Sequence, residues 1–111
     1  MISPNESPQL DTLLSALANE KRRSILYELS LMPSTTSRLA KNNNLSLPAI
    51  HKHIKILEYS GLIVRKKIGR TNFIAFNPNT FGLIQKWLLQ YQTHWGDVNA
   101  SLENYASRMN E

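Results

Sequence analysis

Apolar side chains recur at intervals of three and four residues along much of this chain, the period of an α-helix with one buried face. The first such run consists of Leu10, Leu13, Leu14, Leu17 and Ala18. It predicts a helix that begins at Ser7 or Pro8. A second helix is predicted at residues 19–31, ended by Pro33, and a shorter one at residues 35–42. Three helices are therefore expected before residue 45.

The stretch from Ser46 to Gly61 carries strong helix-boundary signals. Ser46 is a natural N-cap, Pro48 falls in the first turn, where its missing N–H is not needed, and Gly61 can form a left-handed C-cap. The face predicted to be buried comprises Leu47, Ile50, Ile54, Leu57 and Tyr59. The other face carries His51, Lys52 and Lys55. We expect a helix of about four turns with one buried and one cationic face.

Two short β-rich runs, residues 62–67 and 71–76, follow this helix. Gly69 between them permits the positive φ of a tight hairpin turn. Helix, turn, helix and hairpin in this order are typical of a winged helix-turn-helix. At 111 residues the chain is expected to be one domain. The predicted fold is mainly α with a small β-hairpin, in the α+β class.

The last third of the chain carries a long apolar seam. Its members are Phe81, Ile84, Leu88, Tyr91, Trp95, Val98, Leu102, Tyr105 and Met109. Their alternating spacing of three and four residues is that of a coiled-coil interface. A core of about 70 residues is too small to cover such a seam. The pattern predicts one long dimerisation helix over residues 79–111, with Gly82 and Gly96 as points where it could bend.

The net charge of +5 is concentrated in the middle of the chain. Between Arg38 and Arg70 there are eight Lys and Arg residues and a single carboxylate, Glu58, whereas the segments before and after each carry −1. Such an uneven distribution is what contacts to nucleic-acid phosphates require. The basic run at residues 21–23 lies outside this region, and either solvation or a secondary phosphate contact accounts for it.

Composition excludes several other classes. Without cysteine the chain has no disulfide, thiolate metal site or thiol switch. It shows no apolar run of membrane-spanning length and no signal peptide, so we expect a cytoplasmic protein without a membrane partner. It has no glycine-rich phosphate loop and no Ser, His, Asp set, so we expect neither an enzyme nor a cofactor. His51 and His53 point about 200° apart on a helix, which argues against a shared metal.

Residues 17–26, 46–57 and 61–78 together resemble the ArsR-type winged-helix transcriptional regulators, and the match extends over residues 10–78. The resemblance implies a homodimeric repressor that binds specific sequences of double-stranded DNA. It also implies an N-terminal arm at residues 1–8, a DNA-binding domain at residues 9–78 and a dimerisation helix at residues 79–111. Regulators of this type often sense metals or arsenicals through cysteines, which are absent here, so the effector is unknown.

The resemblance and the charge pattern together give a set of predicted DNA-binding residues. They are Arg38, Ser46, Leu47, Ala49, His51, Lys52, Lys55, Arg65, Lys66, Lys67 and Arg70. Leu47 and Ala49 stand where the family is often polar, so they can touch thymine methyl groups but cannot donate to a base edge. Base-specific hydrogen bonds then fall to His51, Lys52 and Ser46. We expect an A·T-rich or shape-read operator.

The C-terminal seam is the predicted dimer interface, and the resemblance implies that the first helix joins it. Its residues are Leu10, Leu13, Leu14, Leu17, Ile84, Leu88, Tyr91, Trp95, Val98, Leu102 and Tyr105. An alternative function is a winged-helix protein–protein interaction module that uses the C-terminal helix, although the concentrated positive charge favours DNA. No metal ligand is assigned, because an isolated pair such as His94 and Asp97 on an interface helix is more often structural.

Overall fold

The computed structural model describes residues 8–91 and 97–110. In these residues the elements are α1 (Pro8–Leu17), α2 (Glu20–Leu31), β1 (Ser34–Thr35), α3 (Thr36–Asn42), α4 (Leu47–Ser60), β2 (Ile63–Ile68), β3 (Thr71–Phe76), α5 (Pro78–Leu89) and α6 (Val98–Met109). The mainly α fold with a small sheet is confirmed. Helices α3 and α4 form the helix-turn-helix, and the β2–β3 hairpin forms the wing.

Capping residues define the ends of α4 as predicted. The Ser46 hydroxyl oxygen accepts a hydrogen bond from the backbone N–H of Ala49 at 3.3 Å. Gly61 ends the helix in the left-handed conformation with φ +84°. Gly69 turns the hairpin with φ +65°, a value that disfavours any side chain. The sequence signals at these boundaries are confirmed.

The core lies between helices α1 to α4 and one face of the sheet. Its fully buried large side chains are Leu13, Ile25, Leu39, Ile50, Ile54, Leu57, Leu62 and Ile74. Leu47 and Tyr59 were wrongly predicted to join this face, since they are 51% and 84% exposed. Tyr59 is rotated about 200° from Leu57, which places it on the other side of α4. Leu47 lies in the first turn of α4, and this end of the helix projects away from the core.

The antiparallel sheet has the order β1-β3-β2. Strands β2 and β3 pair from Ile63 opposite Phe76 to Ile68 opposite Thr71. The prediction missed β1, which pairs Ser34 with Ile74 on the other side of β3. Two residues at the start of a hydroxyl-rich run carry no strand periodicity of their own, so tertiary pairing alone makes them a strand.

The single long C-terminal helix is not confirmed. Helix α5 ends at Leu89. The backbone N–H groups of Gln90 and Tyr91 then donate to the carbonyl oxygens of Trp87 and Leu88, each at 3.1 Å. Bonds that reach back three residues rather than four tighten the last turn and end an α-helix.

Helix α6 begins anew, because the Asp97 side chain accepts a hydrogen bond from the backbone N–H of Ala100 at 2.9 Å and acts as an N-cap. The predicted seam is thus divided between two helices, and α6 contains no buried residue. The predicted interface residue Trp95 lies outside the described residues, as do His94, Gly96 and most of the predicted N-terminal arm.

Candidate nucleic-acid interface

A buried asparagine holds the turn between α3 and α4 against α2. Asn43 Nδ2 donates to the Leu39 carbonyl oxygen at 2.8 Å, and Asn43 Oδ1 accepts from the Ser24 hydroxyl at 2.8 Å. The Lys21 ammonium donates to the Asn43 carbonyl oxygen at 2.9 Å. Asn44 then takes a left-handed φ of +53°, a conformation that asparagine tolerates better than most residues. The network sets where α4 starts relative to α2, a role that sequence reasoning missed.

Burial of Ile50, Ile54 and Leu57 directs the opposite face of α4 to the solvent. Residues from the predicted DNA-binding set that α4 and its N-cap present are Ser46, Leu47, Ala49, His51, Lys52 and Lys55. All of them are exposed except Ala49, which is half-buried. The helix therefore offers imidazole, ammonium and small apolar groups to one partner surface.

A polar groove of about 310 Å³ lies between the start of α3, the start of α4 and the tip of the wing. Residues lining it are Thr35, Thr36, Ser37, Leu47, His51, Arg70, Thr71 and Asn72. It brings His51 of α4 and Arg70 of the wing into one site, although nearly twenty residues separate them in sequence. A groove with hydroxyls, an imidazole and a guanidinium suits a phosphodiester, which accepts hydrogen bonds and is negatively charged.

The cations of the wing differ in how readily they could contact DNA. Lys66, Lys67 and Arg70 are exposed, and strand alternation places the two lysines on opposite faces of the hairpin. Arg65 instead pairs with Glu58, with Nη2 and Oε1 3.2 Å apart. A contact from Arg65 to DNA must therefore share or break this ion pair. Arg38, the remaining predicted cation, is exposed on α3.

The basic run in α2 has partners within the protein. Arg22 Nε donates to the Ala16 carbonyl oxygen at 2.7 Å, and Arg22 Nη2 to that of Ser15 at 3.1 Å. Arg23 Nη1 donates to the Leu17 carbonyl oxygen at 2.7 Å. Both guanidinium groups thus satisfy carbonyls at the C-terminal end of α1, where cations are favourable. These bonds give the run a structural role, and the secondary phosphate contact stays a prediction.

His53 links α4 to α2. Its Nδ1 lies 3.4 Å from Arg22 Nη1, which can donate to the neutral ring. Burial lowers the pKa of His53 below its ordinary value near 6.5, and the positive charges of Arg22, Lys52 and Lys21 lower it further. His53 is therefore a packed side chain with a structural hydrogen bond, whereas His51 faces the groove.

The model of the family described as "Bacterial regulatory protein, arsR family" matches residues 19–64, which include α2, the helix-turn-helix and the start of the wing. The uncharacterized HTH-type transcriptional regulator YuzN of Bacillus subtilis (strain 168) is 34% identical over 86 residues, which cover 70% of this chain and 94% of YuzN. The chain belongs to the arsR family of bacterial regulatory proteins.

Solved ArsR-family structures share the fold described above. The crystal structure of the ArsR family transcriptional regulator RHA00566 is 38% identical, with a TM-score of 0.70 over 80% of this chain and 89% of that one. An ArsR-like transcriptional regulator from Rhodococcus sp. RHA1 is 25% identical, with a TM-score of 0.80 over 96% of this chain and 98% of that one. The first likeness covers most of the chain and the second nearly all of it.

The predicted dimer-interface residues of this ArsR-family chain fall into two groups. Leu10, Leu13 and Ile84 are buried within the chain and leave almost no surface for a partner. They share the helical spacing of the exposed interface residues, but the faces of α1 and α5 that carry them pack on the chain's own core. The predicted residues that remain partly or fully exposed are Leu14, Leu17, Leu88, Tyr91, Val98, Leu102 and Tyr105.

Within residues 8–91 and 97–110, no helix is long and apolar enough to cross a membrane. The same residues contain no group of three or more His, Asp or Glu side chains placed to hold a metal ion.

Proposed function

We propose that this chain is a homodimeric repressor of transcription that binds specific sequences of double-stranded DNA. The observation that carries the proposal is the polar groove, where His51 of α4 and Arg70 of the wing meet the hydroxyls at the start of α3. A phosphate in this groove would position α4 in a major groove and the wing beside the backbone. Three elements that are separate in sequence would then act on one duplex.

The exposed side chains divide into two roles under this proposal. Arg38, Lys66, Lys67 and Arg70 are exposed cations suited to phosphates, and phosphate contacts give affinity without sequence information. Lys52 and His51 can donate to base edges, while Leu47 and Ala49 provide apolar contact to thymine methyl groups. The Ser46 hydroxyl already accepts the capping bond from Ala49, so its remaining capacity is to donate to an acceptor.

Uncovered apolar side chains support the dimer. The side chains concerned are all more than half exposed: Leu88 at the end of α5, Tyr91 just beyond it, and Val98, Leu102 and Tyr105 on α6. Side chains of this size are each worth about 1.5–3 kcal/mol when fully buried. Burial against a second copy would remove this surface from water and place two α4 helices on one duplex, as a two-fold operator requires.

An alternative function rests on α6. None of its residues is buried, and Val98, Leu102, Tyr105 and Met109 form an apolar stripe at helical spacing. A partner protein could use this stripe, so the chain would be an interaction module rather than a repressor. The cationic groove and wing favour DNA, because a module of that kind needs neither.

A DNA-binding regulator acts where the chromosome lies, so the proposal places the chain in the cytoplasm. We assign it no reaction, because the groove combines hydroxyls, an imidazole and a guanidinium without a carboxylate that would activate a nucleophile.

A salt titration on duplex DNA tests the proposal, after the preferred sequence is selected from a random pool. If about six to eight phosphates are neutralised per dimer, log K against log salt should have a slope of about −5 to −7. The Lys66→Ala, Lys67→Ala double variant should weaken all sequences alike and flatten the slope by about one for each phosphate left without its lysine. Lys86→Ala, on the exposed side of α5, is the control. Binding that does not change with salt would refute the proposal.

A further inference from the structure

A second cavity, of about 490 Å³, lies away from the groove, between α2, the end of β3 and the start of α5. Leu17 at the end of α1, with Leu26, Phe76 and Phe81, forms its apolar walls. The volume is within the range of small-molecule sites, about 300–1,000 Å³. We name it the α2–α5 cavity.

The walls of the α2–α5 cavity are preformed. Leu26 is 5% exposed and belongs to the core. The rings of Phe76 and Phe81 pack against each other with centroids 5.6 Å apart and an interplanar angle of 55°. Leu17, Phe76 and Phe81 also pack on the buried core, so their positions are fixed by it. A ligand with an apolar body would meet rigid hydrocarbon and aromatic surface.

The rim adds one positive charge. Tyr27, Ser30 and Arg23 are exposed at the mouth of the cavity. The Arg23 guanidinium is oriented by its bond from Nη1 to the Leu17 carbonyl oxygen at 2.7 Å. Within residues 8–91 and 97–110 no carboxylate forms an ion pair with Arg23. A fixed guanidinium with spare donors matches a carboxylate.

We propose that the α2–α5 cavity binds a small monocarboxylate with an apolar aromatic or aliphatic body, held by Arg23 at the rim. The bound body contacts Phe81 of α5 and Leu17 of α1, and these helices carry the uncovered residues assigned to the dimer. Occupancy would therefore change DNA affinity through the dimer. Only this regulatory part rests on the proposed function; ligand binding does not.

Isothermal titration calorimetry of the full chain without DNA tests the binding site. The probes are naphthalene carboxylate and its uncharged analogue naphthalene carboxamide, with decanoate as an aliphatic body. We expect one site per chain and a carboxylate affinity at least about tenfold above that of the carboxamide, as for a charged hydrogen bond. Equal affinities would overturn the anionic ligand class, and the absence of binding by all three probes would overturn the site.

Variants separate the charge from the cavity. Arg23→Gln should abolish the preference for the carboxylate and leave carboxamide binding unchanged, which also reports that the variant is folded. Ser30→Leu should narrow the mouth and weaken both naphthalene probes. Lys41→Gln, an exposed cation on α3 outside the predicted DNA-binding set, is the control. A carboxylate preference that survives Arg23→Gln, or is lost in Lys41→Gln, would overturn the assignment.

A DNA titration with and without saturating naphthalene carboxylate tests the regulatory part. A change in DNA affinity of at least about threefold that is lost in Arg23→Gln supports it. Unchanged DNA affinity with intact probe binding overturns regulation through this cavity. A chain that binds the probe but no DNA under any salt condition refutes the proposed function and leaves the ligand site standing.

Discussion

Helices α4 and α6 have the same sequence pattern and different environments. Both carry apolar residues at helical spacing, and both begin with an N-cap, Ser46 or Asp97. Yet α4 buries Ile50, Ile54 and Leu57 completely, whereas α6 buries nothing. The apolar face of α4 is covered by neighbours from α1 to the wing, while the described part of the chain provides no such cover for α6.

Hydrophobic periodicity identifies the face of a helix that needs a partner, but it does not say whether the partner belongs to the same chain. The seam over residues 81–109 illustrates this, since Ile84 packs on the core and Leu88, one turn later, is exposed. One continuous pattern thus spans an intramolecular contact and a surface available to another molecule.

The largest expected effect is the loss of stability when a buried side chain of α4 is shortened, compared with an exposed one of α6. Ile54→Ala removes a fully buried side chain from α4 and should lower the free energy of unfolding by about 2–5 kcal/mol. Leu102→Ala on α6 should change it by less than about 0.5 kcal/mol when the protein is dilute enough to be monomeric. Urea unfolding at low concentration measures both. Comparable losses would mean that α6 is covered by its own chain.

The sequence predicts those features of the helix-turn-helix and wing that depend only on neighbouring residues. The caps at Ser46 and Gly61 and the positive φ of Gly69 follow from one residue and its neighbours. The burial of Asn43 does not, because its partners Ser24 and Lys21 come from a different helix. Long-range hydrogen bonds leave no periodic signal in the sequence.

The next effect concerns that buried asparagine. Asn43→Ala removes three side-chain hydrogen bonds, to the Ser24 hydroxyl, the Leu39 carbonyl oxygen and a Glu28 carboxylate oxygen. The Leu39 carbonyl oxygen keeps its bond from the backbone N–H of residue 43 at 3.1 Å. We expect a loss of about 1–3 kcal/mol in the free energy of unfolding. The matched control is Asn42→Ala, an exposed neighbour whose amide bonds to Glu28. If both variants were equally stable, the turn would not depend on the network.

Charge and helical period predict only part of the candidate site. The exposed cations and the solvent-facing side of α4 can be predicted from the charge distribution and the spacing of apolar residues. The predicted set therefore includes His51 and Arg70. Their meeting in one groove depends on the angle between helix and wing, which only the packed structure defines. The partners of Arg22 and Arg23 within the protein could not be predicted, because they are backbone carbonyls, which any residue carries.

A smaller effect is expected at the exposed apolar surface of α5. Leu88→Glu places a charge in the proposed interface, where it would lose water without gaining a partner. The variant should become monomeric at micromolar concentration and bind DNA at least about tenfold more weakly, since each monomer fills one half-site. Light scattering and a DNA titration on the same samples measure this. Gln85→Glu adds the same charge beside the seam and should remain dimeric; a dimeric Leu88→Glu variant would place the interface elsewhere.

The smallest expected effect is the pH dependence of stability that His53 causes at the contact between α4 and α2. His53 faces Arg22 and Lys21 of α2 and Lys52 of its own helix, and burial and these charges lower its pKa in the folded chain. A histidine with a lowered folded pKa binds protons more readily when unfolded. Its neutral form therefore favours folding above pH 6.5, and this contribution is lost as the pH falls below 6.5 toward the folded pKa.

We expect the stability of the wild-type chain to decline through this window more steeply than that of His53→Gln, which has no proton to gain. Urea unfolding at a series of pH values measures the difference, with His51→Gln as the control because its ring is exposed. The additional decline should be absent from His53→Gln and present in His51→Gln. The opposite result, stability that rises as the pH falls through the window, would mean that the folded chain stabilises the imidazolium form of His53.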